Sequence, residues 1–217
     1  MRKILFLSTL LGFISYQSFA QDSDFTLGIK IAPAIHSTRV LLDDPNILIS
    51  NAGSNMKLSF GLVVDKQLTD NYILSTGLIY LPKQVSIGIA PDDPAGFNSA
   101  ETYKLQYLQI PATIKLFTNE IIPDAKVYFQ LGMALEIKVY EEADPTLVEN
   151  DLITKFQPIN LPVILGAGLE YNLGINTVAF GGISYHRGLN NIVKESTSVP
   201  ELEIRSTVLS IDIGVKF

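Results

Sequence analysis

Apolar and polar residues alternate with a period of two along most of this 217-residue chain. The clearest run is VYFQLGMALEIKV. Val127, Phe129, Leu131, Met133, Leu135, Ile137 and Val139 share one face, and Tyr128, Gln130, Gly132, Ala134, Glu136 and Lys138 share the other. A helix needs a period near 3.6, so this alternation predicts a strand. The chain closes on the same pattern, with Leu209, Ile211, Ile213, Val215 and Phe217 set against Ser210, Asp212, Gly214 and Lys216. Eight such segments are predicted, at roughly 25–35, 57–68, 72–87, 103–117, 125–139, 157–172, 177–187 and 205–217. Most reach or exceed the ~9–11 tilted residues that cross a bilayer.

The joins between these segments alternate in length. Those at 69–71, 118–124 and 173–176 are short, and those at 36–56, 88–102, 140–156 and 188–204 are long. In an up-and-down meander all long joins fall at one end and all short ones at the other. That asymmetry, with an even strand number, predicts an all-β fold: an eight-stranded antiparallel up-and-down transmembrane β-barrel with outward loops and periplasmic turns. Pro111 and Pro162 fall inside two of the segments. Proline donates nothing to a ladder, so both positions predict a bulge or local unpairing.

Alternation alone does not say which face meets the core. The polar face carries Lys30, Lys57, Asp65, Lys115, Glu136, Lys138, Glu170, Arg187, Asp212 and Lys216, mixed with Gly61, Gly77, Gly132, Gly166 and Gly168. A solvated outer face gains nothing from so many glycines, which weaken strands and pack nothing. A narrow lumen does gain, because small residues leave space for charged side chains that pair across it. The apolar face is therefore expected to meet lipid. The expected lumen network is Lys30, Asp65, Glu136, Glu170, Arg187 and Asp212. Aromatics fall in two bands. Phe25, Tyr72, Phe117, Phe129, Tyr171 and Phe217 lie near the short-turn ends, and Tyr80, Tyr103, Tyr107, Tyr140, Phe156 and Tyr185 toward the long-loop ends. Such bands form the interfacial girdles of membrane barrels. Phe180 is expected inside.

The start of the chain changes the picture of where it acts. Arg2 and Lys3, an apolar run from Ile4 to Ile14 and small residues at Ser18 and Ala20 read as a secretory signal over 1–20. The barrel domain is then 21–217. Removing the signal takes the charge to −8, from 14 basic and 22 acidic residues. That sign excludes nucleic acid as the expected partner. The absence of Cys removes disulfides and thiolate metal sites. The four long joins hold thirteen acids against three bases, so the remainder of the chain is slightly basic.

Several short stretches carry a family likeness: Ala20-Gln21 at the cut, LGIKIAP (27–33), GLIY (77–80), YLQIP (107–111), LPVILGAGLEY (161–171), ISYHRGLNNI (183–192) and the terminal IGVKF. In these the chain resembles the PorT-type outer-membrane β-barrel family of Bacteroidetes, over the whole segment after the signal. The resemblance implies an integral protein of the outer membrane of a Gram-negative bacterium. It also implies insertion by machinery that reads the last strand, with Phe217 as the insertion signal. Its partners would be outer-membrane lipid and that barrel insertion machinery.

Candidate chemistry is sparse. His36 and His186, with Ser37, Ser184 or a loop Asp, would be the raw material of a rim hydrolase, but no nucleophile motif accompanies them. Asp-Asp-Pro recurs at 43–45 and 92–94, and Asp144-Pro145 follows. Such carboxylates could take a divalent cation, even one bridging to lipopolysaccharide, though Asp-Pro is also a plain turn former. The lumen charges could line a narrow pore, yet eight strands leave only enough width for their own side chains. No catalytic residue, cofactor or resident metal site is therefore assigned. The expectation is a structural or interaction protein with acidic outward loops, which meet an envelope protein partner or a divalent cation. A narrow passive pore and a rim hydrolase are the alternatives.

Overall fold

Among the described residues twelve strands form, because β-branched, aromatic and alternating residues dominate the segments between the turns. In chain order they are β1 (Phe25–Leu41), β2 (Leu48–Asn51), β3 (Asn55–Thr69), β4 (Tyr72–Ala90), β5 (Ser99–Ile122), β6 (Ala125–Ala143), β7 (Ile153–Phe156), β8 (Ile159–Asn160), β9 (Pro162–Gly174), β10 (Thr177–Gly188), β11 (Val193–Ser196) and β12 (Glu203–Lys216). The computed structural model describes residues 25–41, 48–51, 53–90, 99–143, 153–174, 176–196 and 202–217. The expected signal segment 1–20 and the Asp-Asp-Pro repeats lie outside these residues.

Eight long strands pair antiparallel in the order β4-β3-β1-β12-β10-β9-β6-β5, and β4 pairs β5 to close the ring. The expected eight-stranded up-and-down barrel is what the chain forms. Its shear follows from the register. Cross-strand partners run Leu27, Val64, Thr76, Ala112, Met133, Val163, Arg187, Thr207 and back to Ser37, which is ten residues further along β1 than Leu27. With ~3.3 Å per residue and ~4.8 Å between strands, that shear gives a tilt of about 40° and a backbone radius of about 8 Å. Closure leaves no free edge, so the ladder satisfies the backbone groups that lipid could not.

The two prolines interrupt the ladder as expected. The β4–β5 register passes from Thr76↔Ala112 to Ile79↔Gln109, which skips Ile110 and Pro111, and Thr76 Oγ1 instead donates to the Pro111 carbonyl at 2.7 Å. On β6 the partner changes from β9 to the two-residue β8, with Leu161 between them. The join expected at 118–124 is mostly strand. Only Pro123 and Asp124 turn there, Asp124 with φ 65°. Much of the expected long joins is strand as well, because β1, β4, β5 and β6 continue to Leu41, Ala90, Ser99 and Ala143.

Over the lower two thirds of the barrel the apolar face points outward. Ile29, Ile31, Leu62, Leu131, Ile211 and Ile213 are all more than half exposed, while Asp65, Lys115, Glu136 and Lys216 are buried. Toward the long-loop end the pattern inverts. Leu81, Val85 and Ile87 of β4 and Tyr103, Leu105 and Tyr107 of β5 point inward and are buried. A two-stranded ribbon, β7 paired with β11, lies over them. Ile153, Phe156, Ile192, Val193, Leu202 and Ile204 complete the resulting apolar plug. The Asn191 side chain fixes the ribbon's root: its Oδ1 accepts from the Val193 and Ile204 amides, and its Nδ2 donates to the Leu202 carbonyl. Tyr103, Tyr107 and Phe156 therefore belong to the plug and leave the expected outer girdle. Phe117 leaves the lower girdle, since it packs on Tyr128 with ring centroids 5.7 Å apart. Phe25, Tyr72, Phe129, Tyr171 and Phe217 remain exposed at the short-turn rim, and Phe180 is inside.

The inward glycines have a different use from the one expected. A Cβ on Gly61, Gly77 or Gly132 would stand 2.2–2.3 Å from a carbonyl oxygen of the neighbouring strand, so these positions permit close strand approach. Gly168 and Gly182 make room for the Tyr128 ring, and Gly214 for Phe180. The space thus holds aromatic rings as well as charges. Gly182→Val is expected to lower barrel stability by about 1–3 kcal/mol through overpacking. Gly174→Ala, where a Cβ meets nothing within 4 Å, should leave the urea midpoint of the refolded barrel nearly unchanged.

Candidate functional site

The alternating strands carry their polar residues to the barrel axis, where four lysines meet four carboxylates. Nearest the short turns, Asp65 of β3 accepts from Lys115 of β5 and Lys216 of β12, both at 2.8 Å, and from Ser75 at 2.5 Å. Lys216 also donates to both Glu170 oxygens at 2.7 Å. The Lys115 ammonium lies 5.4 and 5.5 Å from the ring centroids of Tyr128 and Phe180, so aromatic faces wall the quartet.

Higher up, two further pairs are joined by neutral groups. Lys30 lies 3.3 Å from Asp212. Glu136, with no exposed surface, accepts from Lys83 at 2.6 Å, Asn160 at 2.5 Å and Gln109 at 3.0 Å. Between the pairs run Gln109 Nε2 to His186 Nδ1 at 3.3 Å, His186 Nε2 to Ser184 Oγ at 3.2 Å, and Ser184 Oγ to Asp212 Oδ2 at 2.9 Å. The donors fix the direction. An amide NH2 and a carboxylate stand at the two ends, so Gln109 donates to Nδ1, Nε2–H donates to Ser184, and the Ser184 hydroxyl donates to Asp212. His186 is neutral in this arrangement.

Ser, His and Asp thus meet in space, in an order that does not suit acyl transfer. A catalytic imidazole accepts the serine proton and is itself held by the acid. Here the serine stands between them, and its hydroxyl donates a hydrogen bond to Asp212. The void beside these groups is about 30 Å³ and is lined by Lys30, Gln109, Lys115, Tyr128, Ser184 and His186 among others, room for a water or two. His36 is in the same cross-strand row as His186, with Val208 between them, and among the described residues its ring nitrogens have no hydrogen-bond partner. It lines a separate void of about 10 Å³ under the plug, near Tyr107 and Thr38. Among the described residues, no three His, Cys, Asp or Glu side chains gather as a metal site requires.

Of the six residues expected in the lumen network, Lys30, Asp65, Glu136, Glu170 and Asp212 are in it. Arg187 is not. It shares its face with Ile183 and Tyr185, is exposed, and stands on the outer wall one position after the buried His186. The expected network left out Lys115 and Lys216, although both were on the expected polar face, and missed Lys83, Gln109, Asn160, Ser184 and His186. Lys83 was hidden because its face also carries Ile79, Leu81, Val85 and Ile87, an apolar row that gives no sign of a lumen charge.

This geometry, an apolar outer wall around an ion-paired lumen, is that of an outer-membrane barrel, and comparison with known proteins agrees. The family described as "Outer membrane protein beta-barrel domain" matches residues 19–194. The chain belongs to that family. Its fold is similar to the crystal structure of Neisserial surface protein A, with a TM-score of 0.50, 17% identity, and coverage of 90% of this chain and 98% of the other. It is also similar to the outer membrane protein OprG of Pseudomonas aeruginosa, with a TM-score of 0.51, 12% identity, and coverage of 88% and 96%. No curated protein matches the sequence. The outer-membrane barrel is accordingly placed in the outer membrane of a Gram-negative bacterium, with its long-loop end outward as in other barrels of this architecture.

Proposed function

We propose that the protein is a sealed, non-catalytic scaffold of the PorT-like type, which anchors a capped set of outward loops that meet a partner in the envelope. The carrying observation is the closure of the lumen. The apolar plug, the Lys83–Glu136 tier and the Lys216–Asp65–Glu170 tier lie one below another, and the voids among these lumen side chains are about 30 and 10 Å³. Lys30, Lys83, Lys115 and Lys216 each pair with a carboxylate there, so none of these four charges is free to select an ion.

The short motifs from LGIKIAP to IGVKF support the PorT-like assignment and, with it, the Bacteroidetes as source. Loss of a signal over 1–20 and reading of Phe217 by the insertion machinery belong to the same reading. Phe217 is 64% exposed at the periplasmic rim and exchanges backbone hydrogen bonds with Leu27. A divalent cation at Asp43, Asp44, Asp92 and Asp93 is part of the proposal, as an outer contact that the acidic loops would make. The buried, reversed Ser184–His186–Asp212 order supports the absence of hydrolysis.

The test is single-channel recording of the purified barrel in planar bilayers. Silence at all voltages tolerated by the membrane is expected. A reproducible step conductance would replace the scaffold with the narrow pore.

A further inference from the structure

Three arginines meet on the outer wall, although the chain is acidic. Arg39 of β1 and Arg205 of β12 are direct cross-strand partners, and Arg187 of β10 is partner to Thr207, two residues along β12 from Arg205. All three point outward by strand parity. Arg39 is drawn toward Arg187, since its Nε donates to Thr207 Oγ1 at 3.3 Å and its terminal nitrogen to the Gly188 carbonyl at 3.4 Å. Glu203 pairs with Arg205 at 2.5 Å, and Arg187 has no carboxylate partner among the described residues. Like charges placed directly opposite destabilise a sheet, so the wall gains if an anion sits between them.

Position on the barrel says which anion. The row immediately below is Ile35–Leu209–Tyr185, three cross-strand partners that are 41%, 46% and 36% exposed and form the top of the lipid-facing wall here. Ser37–Thr207–Arg187 is the next row outward, and Arg39–Arg205 the one after it. The guanidinium groups therefore stand where acyl chains give way to headgroups, on the outer leaflet side. Arginine's planar fork suits phosphate oxygens, and an acyl chain on the apolar rows below would hold the same molecule.

We propose that Arg39, Arg187 and Arg205 form a binding site for the phosphate of an outer-leaflet lipid. The acyl part of that lipid lies along Ile35, Leu209 and Tyr185.

The full chain, refolded in detergent, can be titrated with diphosphoryl lipid A and with the same lipid stripped of its phosphates, and bound copies counted by native mass spectrometry. The phosphorylated lipid is expected to be retained, and the stripped lipid to bind at least about tenfold more weakly, as loss of charge-assisted hydrogen bonds implies. The R39Q/R187Q/R205Q variant should lose that preference. K104Q, which removes an exposed outward base elsewhere on the rim, should keep it. Unchanged heat-modifiability of the variants confirms that both are folded. Equal retention of the two lipids, or an undiminished preference in the triple variant, would overturn the site. Displacement of the lipid by equimolar inorganic phosphate would overturn the lipid as its occupant in favour of free phosphate.

Discussion

Glu136→Gln is expected to lower the stability of the barrel by about 3–5 kcal/mol, the range for breaking a buried ion pair by removing one partner. Three donors converge on this carboxylate, from Lys83, Gln109 and Asn160, and the site has no exposed surface. The amide offers one acceptor oxygen in place of two to these donors and leaves the buried Lys83 ammonium, which also donates to Ser206 at 3.2 Å, without a counter-charge. The check is a urea titration of the protein refolded in bilayers, read from the gel mobility of folded and unfolded forms. Lys83→Met combined with Glu136→Leu separates the causes. The double variant removes both charges, so it should lie closer to the parent than Glu136→Gln does. If it is equally unstable, the penalty comes from lost packing and the uncompensated charge is not its source.

The two tiers of charge differ in how readable they were. Lys30, Asp65, Glu170 and Asp212 stand on strands whose opposite faces are apolar and lipid-facing, so period-two alternation places them inside directly. Glu136 is read from the same thirteen-residue run. The alternation fails most where its premise fails, toward the long-loop end. There both solvents are reversed: water lies outside and the apolar plug inside, so Leu81, Val85 and Ile87 look like a lipid-facing row and conceal Lys83 among them. Tyr103 and Tyr107 were misplaced in the girdle for the same reason. A single chain thus follows two opposite hydrophobic rules, and the level at which they exchange depends on strand tilt, which no local window contains.

Arg187 shows the complementary error. It was grouped with the charges of the polar face, while the parity it shares with Tyr185 puts it outside, and a charge there would be costly only against lipid. Parity wins at the rim, where an outward charge meets headgroups and water and the cost disappears. The twin glycines at 181 and 182 hide this, because they carry no side chain to mark which face is which. Loop alternation, by contrast, needed no side-chain inference, and the chain order of long and short joins was sufficient for the meander and its closure.

Phe156→Ala is expected to open the plug without unfolding the barrel. The ring is fully buried, packs edge-on against Tyr103 at 5.2 Å, and is shut in by a ribbon of two four-residue strands. Truncating a buried phenylalanine costs about 3–5 kcal/mol, more than so short a ribbon can absorb while keeping its place. The barrel below has its own closed ladder and its own ion pairs, so the loss should be local. Lys138, which donates to the Phe156 carbonyl and pairs with Glu141, marks the boundary between the two units. Amide exchange in β7 and β11 should then approach the unprotected rate while β1, β6 and β12 keep their protection. Current through the reconstituted variant should remain absent, because the Glu136 tier still closes the axis. A fall in the barrel's own urea midpoint as large as the loss in the ribbon would mean that plug and barrel unfold as one cooperative unit. The inverted upper segment would then be part of the membrane fold, and not a soluble cap built on top of it.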